Sequence, residues 1–121
     1  MLYKIFYTII NTEHGIKTNK ISNALDYIEM NFASDITISE LARLCNLGEC
    51  MFRRYFKEYT GTSPVKYRNR LRISKAYDYL VTEGLPVSEV MELTGFYDAS
   101  YFNKIFKSII GKTPSECRKS T

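Results

Sequence analysis

The chain repeats itself. Ile38-Ser39-Glu40-Leu41 is echoed by Val87-Ser88-Glu89-Val90, and Leu44 by Leu93, at an offset of 49. One residue is then gained in Gly95-Phe96-Tyr97-Asp98, and the matches resume at an offset of 50: Phe52/Phe102, Phe56/Phe106, Lys57/Lys107, Gly61/Gly111, Ser63/Thr113 and Pro64/Pro114. A tandem duplication constrains the fold more than local propensity does, because both copies must solve one packing problem. The 121 residues make room for one domain or two very small ones, and a hydrophobic content of 45 % supplies a core.

The repeated unit reads as helix, turn, helix, glycine stop and Ser/Thr-Pro restart. In the first copy Thr37 opens a helix with Glu40 three residues on, a T-x-x-E capping box. Leu41, Ala42 and Leu44 are its expected inward residues. It stops near Asn46-Leu47-Gly48, where Asn and Gly tolerate a positive φ. The next helix, Gly48 to Gly61, sorts itself at about 100° per residue. With Phe52 at zero, Phe56, Tyr59, Tyr55 and Met51 fall on one side. Arg53, Lys57, Cys50, Arg54 and Glu58 fall on the other. Two short helices joined by such a turn, the second with a basic outer face, form a helix-turn-helix suited to a DNA groove.

The second copy tests the first. With Asp98 as N-cap and Phe102 at zero, Phe106, Ile109, Ile105 and Tyr101 are apolar. Asn103, Lys107, Ser100 and Lys104 lie opposite. Each outward position of copy one has an outward polar equivalent: Cys50/Ser100, Arg53/Asn103, Arg54/Lys104 and Lys57/Lys107. Core-facing helices need to match on their inner sides only.

Around these units the chain is simpler. Leu2 to Ile10 is apolar and reads as helix or short strand. Asn11 to Asn19 is a polar linker with Gly15. The pair reads as the end of a preceding domain, with a genuine N-terminus as the other reading. Thr18 or Asn19 can cap a first helix in which Ile21, Ala24, Leu25, Ile28 and Phe32 recur at helical spacing, ending near Ala33. Gly61 is a C-terminal stop, and Ser63 caps a long helix with Pro64 in its first turn. That helix runs to about Val81, roughly 27 Å, with a stripe at Ile73, Ala76, Tyr77 and Leu80 and an end at Glu83-Gly84. The expected organisation is 1–18 tail or extension plus linker, 19–63 first unit, 64–83 connecting helix and 84–121 second unit.

Charge is unevenly spread. The chain carries +4 overall, yet Arg43 to Lys75 holds nine cations against two anions, a net of seven. A polyanion-binding surface requires such concentration. Three cysteines (Cys45, Cys50 and Cys117) without a C-x-x-C give neither a disulfide framework nor a zinc site, and His14 is the only histidine. The apolar start is too short for a membrane span and lacks a cleavage site, so a soluble cytoplasmic chain is expected, with no membrane partner.

These residues resemble the C-terminal DNA-binding domain of AraC/XylS-type transcription regulators, over about Asn19 to Arg118. The most specific part is GFYDASYFNKIFKSIIGKTPSECRK, and LRISKAYDYL is similar to the family's central helix. The resemblance implies an all-α fold of about seven helices: two helix-turn-helix subdomains, homeodomain-like three-helix units, joined by a long central helix. It implies sequence-specific binding of double-stranded DNA and transcription regulation, chiefly activation, through two recognition helices in successive major-groove segments. A connecting helix of that length holds them about 34 Å apart, one helical turn of DNA, and the site need not be palindromic. By position, the first recognition helix presents Cys50, Arg53, Arg54 and Lys57. The second presents Ser100, Asn103, Lys104 and Lys107, with Ala99 where it begins. Pro86 in place of a capping Ser or Thr, Cys117 in place of an aromatic and Cys50 in place of Ser or a larger residue depart from the family pattern. No cofactor or metal is implied. RNA polymerase is a partner that activators of this kind touch, and oligomerisation, where it occurs, belongs to a domain outside this chain.

Two other classes compete. An enzyme needs an acid/base dyad, a phosphate loop or an activated nucleophile, and only Cys50, beside Arg53 and Arg54, could serve as the last, as a redox-sensing thiol. The expectation is that the chain is not an enzyme. A basic helical protein-interaction module without sequence readout is the alternative to DNA binding.

Overall fold

Helices start and stop where something satisfies their loose backbone groups, and among the described residues side chains do so at the starts capped by Thr37, Ser63, Asp98 and Thr113. The computed structural model describes residues 20–119. Among the described residues there are seven α-helices and no strand: α1 Ser22–Met30, α2 Ile38–Leu44, α3 Glu49–Thr60, α4 Pro64–Tyr77, α5 Val87–Thr94, α6 Ala99–Ile110 and α7 Pro114–Lys119. The expected all-α class and helix number hold. The chain divides into two compact units between Arg68 and Asn69, inside α4. The expectations for Leu2 to Ile10, the linker and His14 lie outside the described residues, and the expected Thr18 or Asn19 cap is corrected: α1 begins at Ser22, with Ile21 as its N-cap and no side-chain cap. Among the described residues no helix is long and apolar enough to cross a membrane.

In the first unit α1 packs on α2 and α2 on α3. Ile21, Ala24, Leu25 and Ile28 bury the stripe expected of α1, Leu41 and Ala42 that of α2, and Phe52 and Phe56 that of α3. Each buried large apolar side chain contributes about 1.5–3 kcal/mol. The Phe52 and Phe56 rings lie 5.6 Å apart, and Tyr67 meets Phe56 edge-on at 5.5 Å. Thr37 Oγ accepts from the Glu40 N–H at 3.1 Å, so the predicted cap opens α2. Asn23 Nδ2 donates to the Leu44 carbonyl at 3.1 Å and closes it. Asn46 then takes φ +56°, the left-handed step of the turn. Gly48 does not need its freedom: it is an extended N-cap at φ −71°.

Two further expectations for this unit are corrected. α1 ends at Met30, short of Ala33: Asn31 leaves the helical conformation (φ −131°, ψ 36°), and its side-chain amide donates to the Tyr27 carbonyl at 3.1 Å. Leu44 is 39 % exposed. α2 has only seven residues, two turns, and Leu44 lines a shallow surface depression beside Tyr27 and Ile36 instead of the core.

In the second unit Ile73, Ala76, Leu80, Val90, Phe96, Phe102, Phe106 and Cys117 form one core. The long helix does not stay α to Val81: after Tyr77 it widens into a π-helical stretch, Asp78–Thr82, closed by the Glu83 N–H on the Asp78 carbonyl at 3.2 Å. Tyr77 sits on the edge of the stripe carried by Ile73, Ala76 and Leu80 and is 38 % exposed, not core. Pro86 provides no side-chain cap for α5, as its departure from the family pattern implies. Leu93 is exposed like its counterpart Leu44, and Gly95 (φ +85°) makes the left-handed step that Asn46 makes in the first unit.

At the far end Thr113 and Glu116 form a reciprocal capping box: the Thr113 N–H donates to Glu116 Oε1 at 2.9 Å and the Glu116 N–H to Thr113 Oγ1 at 3.2 Å. The Thr113 backbone donor, then its hydroxyl, hold the Glu116 carboxyl below its ordinary pKa. Arg118 donates to the carbonyls of Leu85 (2.7 Å) and Gly84 (3.2 Å), tying α7 to the loop after the π-helical stretch.

Candidate nucleic-acid interface

The orientation of α3 follows from its anchors. Phe52 and Phe56 are fully buried, and on a 3.6-residue helix this sends positions 50, 53, 54 and 57 outward. Cys50, Arg53, Arg54 and Lys57 are all exposed and, at spacings of three, four and seven, share one face. Gly61 ends the helix in the left-handed conformation (φ +78°). Acidic Glu49 in the first turn and Lys57 in the last suit the helix dipole.

α6 repeats the arrangement within its own unit. Phe102 and Phe106 are fully buried, and Ala99, Ser100, Asn103, Lys104 and Lys107 are exposed. Asp98 caps the helix through the Tyr101 N–H at 3.1 Å, and Gly111 (φ +93°) ends it. The corrections match between copies: Met51 and its counterpart Tyr101, assigned to the apolar side, are exposed, as is Ile109. They lie on the rim of the aromatic face, beyond the two phenylalanines that anchor each helix.

Sequence reasoning missed two features. The first is an acidic frame around the arginines: Glu49 Oε1 lies 4.0 Å from an Arg53 guanidinium nitrogen, and Arg54 Nε donates to Glu58 at 3.3 Å. The i, i+4 spacing was there to be read. The second is the support behind α6. Buried Asn69 donates to the Tyr101 hydroxyl at 3.1 Å. Buried Arg72 donates to the Gly95 carbonyl at 3.2 Å, its guanidinium 5.7 Å from the Phe96 ring. Arg72 therefore belongs to the interior and not to the basic surface its sequence position implies. Of the thiols, Cys50 is exposed, while burial pushes the pKa of Cys45 and Cys117 up.

Each unit thus carries a short helix, a tight turn with one left-handed residue and a longer helix exposing cations, joined in the second unit by the amide of Asn103, which defines a tandem helix-turn-helix protein of the DNA-binding kind. A model described as a helix-turn-helix domain matches residues 41–120. The chain belongs to the AraC/XylS-type helix-turn-helix family, as its C-terminal DNA-binding domain. It is 30 % identical to the raffinose operon transcriptional regulatory protein RafR of Pediococcus pentosaceus, over 99 % of this chain and 46 % of that protein. Among solved structures, the C-terminal domain of AraT, a response regulator from Geobacillus stearothermophilus, is similar with a TM-score of 0.77 at 27 % identity over 84 % of each chain. The DNA-binding domain of AdpA, solved with a target DNA, shares the fold with a TM-score of 0.78 at 21 % identity, over 84 % of this chain and 91 % of that one. The chain spans less than half the length of the relatives it matches, 41–46 % in the leading cases.

Proposed function

We propose that this chain binds double-stranded DNA sequence-specifically and regulates transcription, in the sense of activation, with α3 and α6 each entering a major-groove segment. The observation that carries this reading is the matched outer face: equivalent positions of the two helices are polar and exposed where packing makes no such demand. Membership of a regulator family and the operon named for the raffinose relative support it. Arg53 and Arg54 can each donate a bidentate pair to guanine O6/N7, Asn103 can pair with adenine N6/N7, and Ser100 can meet either kind of base edge. Lys57, Lys107 and Lys104 reach phosphates. Cys50 packs on a thymine methyl, and Ala99 lets the start of α6 approach the groove.

In this reading residues 1–18 are the tail of a preceding domain or an N-terminal extension, 19–63 and 84–121 are the two binding units, and 64–83 connects them. RNA polymerase is the second partner, any oligomerisation is through a domain not in this chain, and the chain works in the bacterial cytoplasm, neither as an enzyme nor with a cofactor.

Selection of sites from random duplex tests the reading. A consensus is expected, bound more tightly than random sequence by a ratio that survives rising salt. Arg53→Ala and Arg54→Ala each weaken the selected site by about 1–3 kcal/mol, and Asn103→Ala flattens preference at one adenine by a similar amount. Lys57→Ala and Lys107→Ala each lower the salt slope by about 0.9 without changing base preference. A basic protein-interaction module would show salt dependence with no consensus, and unchanged affinity in both arginine variants would sink the recognition-helix assignment.

A further inference from the structure

Taking α3 as a base-reading helix, we propose that Glu49 is a specificity-determining residue that selects cytosine beside the guanine read by Arg53. Glu49 begins α3 and is exposed. It shares one outward stripe with Arg53 and Lys57, at spacings of four and eight. Its position is the first-copy equivalent of Ala99, and the second copy has no carboxylate on this face, because Ala99 and Ser108 stand where Glu49 and Glu58 stand in the first. The acid is therefore a property of one reading helix and not a general requirement of the fold.

A carboxylate on a DNA-facing surface weakens plain affinity, since it meets the phosphates with like charge. One base edge compensates it. In the major groove cytosine offers an amino donor at N4; guanine offers two acceptors, thymine an acceptor and a methyl, and adenine a donor flanked by the N7 acceptor. Glu49 thus accepts from cytosine and repels the others. Arg53 carries the complementary preference for guanine, and the two charged groups stand 4.0 Å apart, close to the roughly 3.4 Å rise between bases on a strand. Their side chains are 57 % (Arg53) and 54 % (Glu49) exposed, and an ion pair so exposed is weak, so the groups part readily to meet bases. Glu58 differs in place: it lies in the last turn, nine residues beyond Glu49, and accepts the Arg54 Nε–H at 3.3 Å.

Site selection with the unaltered chain, Glu49→Ala and Glu49→Gln tests this. The unaltered chain is expected to select cytosine at one position next to an Arg53-dependent guanine, with a loss of about tenfold for another base there. Glu49→Ala lowers that loss to about twofold or less and binds random duplex more tightly, by about threefold, as a phosphate-facing anion is removed. Glu49→Gln moves the preference at that position toward adenine. Far-UV circular dichroism melts of both variants check that α3 remains folded. A consensus whose positional preferences are the same in all three proteins overturns the Glu49 assignment and leaves the DNA-binding reading standing. No consensus from the unaltered chain overturns the DNA-binding reading and this inference with it.

Discussion

Arg53 and Arg72 lie in the same cation-rich stretch and do opposite jobs. Arg53 faces solvent at the surface of α3, while Arg72 is buried and spends its guanidinium on the Gly95 carbonyl and the Phe96 ring. Burying an arginine is costly unless hydrogen bonds and stacking replace water, and those partners lie more than twenty residues downstream. Composition and charge counts cannot see them. The outward residues of α3 and α6 were legible because exposure there follows from helical period and two phenylalanine anchors per helix. Glu116 gives the residue scale a pH test. Its folded pKa is depressed, so its stabilising contribution is fully present above the ordinary glutamate value, about 4.3, and is lost as pH falls through the lower folded value. Thermal melts of the chain and of Glu116→Gln are expected to differ at pH 7 and to converge as pH drops below that ordinary value.

At the scale of elements, apolar spacing located α1, α3, α4 and α6, the internal repeat located α5, the Thr-Pro restart pointed to α7, and the caps Thr37, Ser63 and Asp98 could be named in advance. What escaped was set by competition at helix ends: Asn31 stopping α1 early, or the π-helical widening after Tyr77. Such outcomes turn on single hydrogen bonds, to which periodicity is blind. The glycine stops are firmer. Gly61 and Gly111 hold φ of +78° and +93°, and a Cβ on either would meet nothing within 4 Å, so the cost of alanine there is backbone strain alone. Gly61→Ala and Gly111→Ala are each expected to destabilise by about 1 kcal/mol, read as a melting temperature lower by about 4–8 °C.

For the whole molecule the duplication gives two outward-facing helices of unequal charge. α3 offers Arg53 and Arg54 where α6 offers Asn103 and Lys104. Arg54→Ala removes a bidentate donor and releases Glu58 to face the DNA unpaired, whereas Ser108 leaves no carboxylate behind Lys104. Titration of one selected duplex is expected to show Arg54→Ala losing at least about threefold more affinity than Lys104→Ala, with the arginine loss near 1–3 kcal/mol. Equal losses would mean that charge at the helix surface, not base readout, sets the affinity.

The tether from Arg118 to Leu85 and Gly84, with Cys117 buried beside Phe102 and Phe106, also has a consequence for biosynthesis. The first unit has all its residues once Arg68 is made, but the second cannot complete its core until Cys117 is added, about 50 residues later. At roughly 5–20 residues per second of translation, the first half is available to fold for about 2.5 to 10 seconds before the second can close. The two copies share one architecture and mature on different clocks.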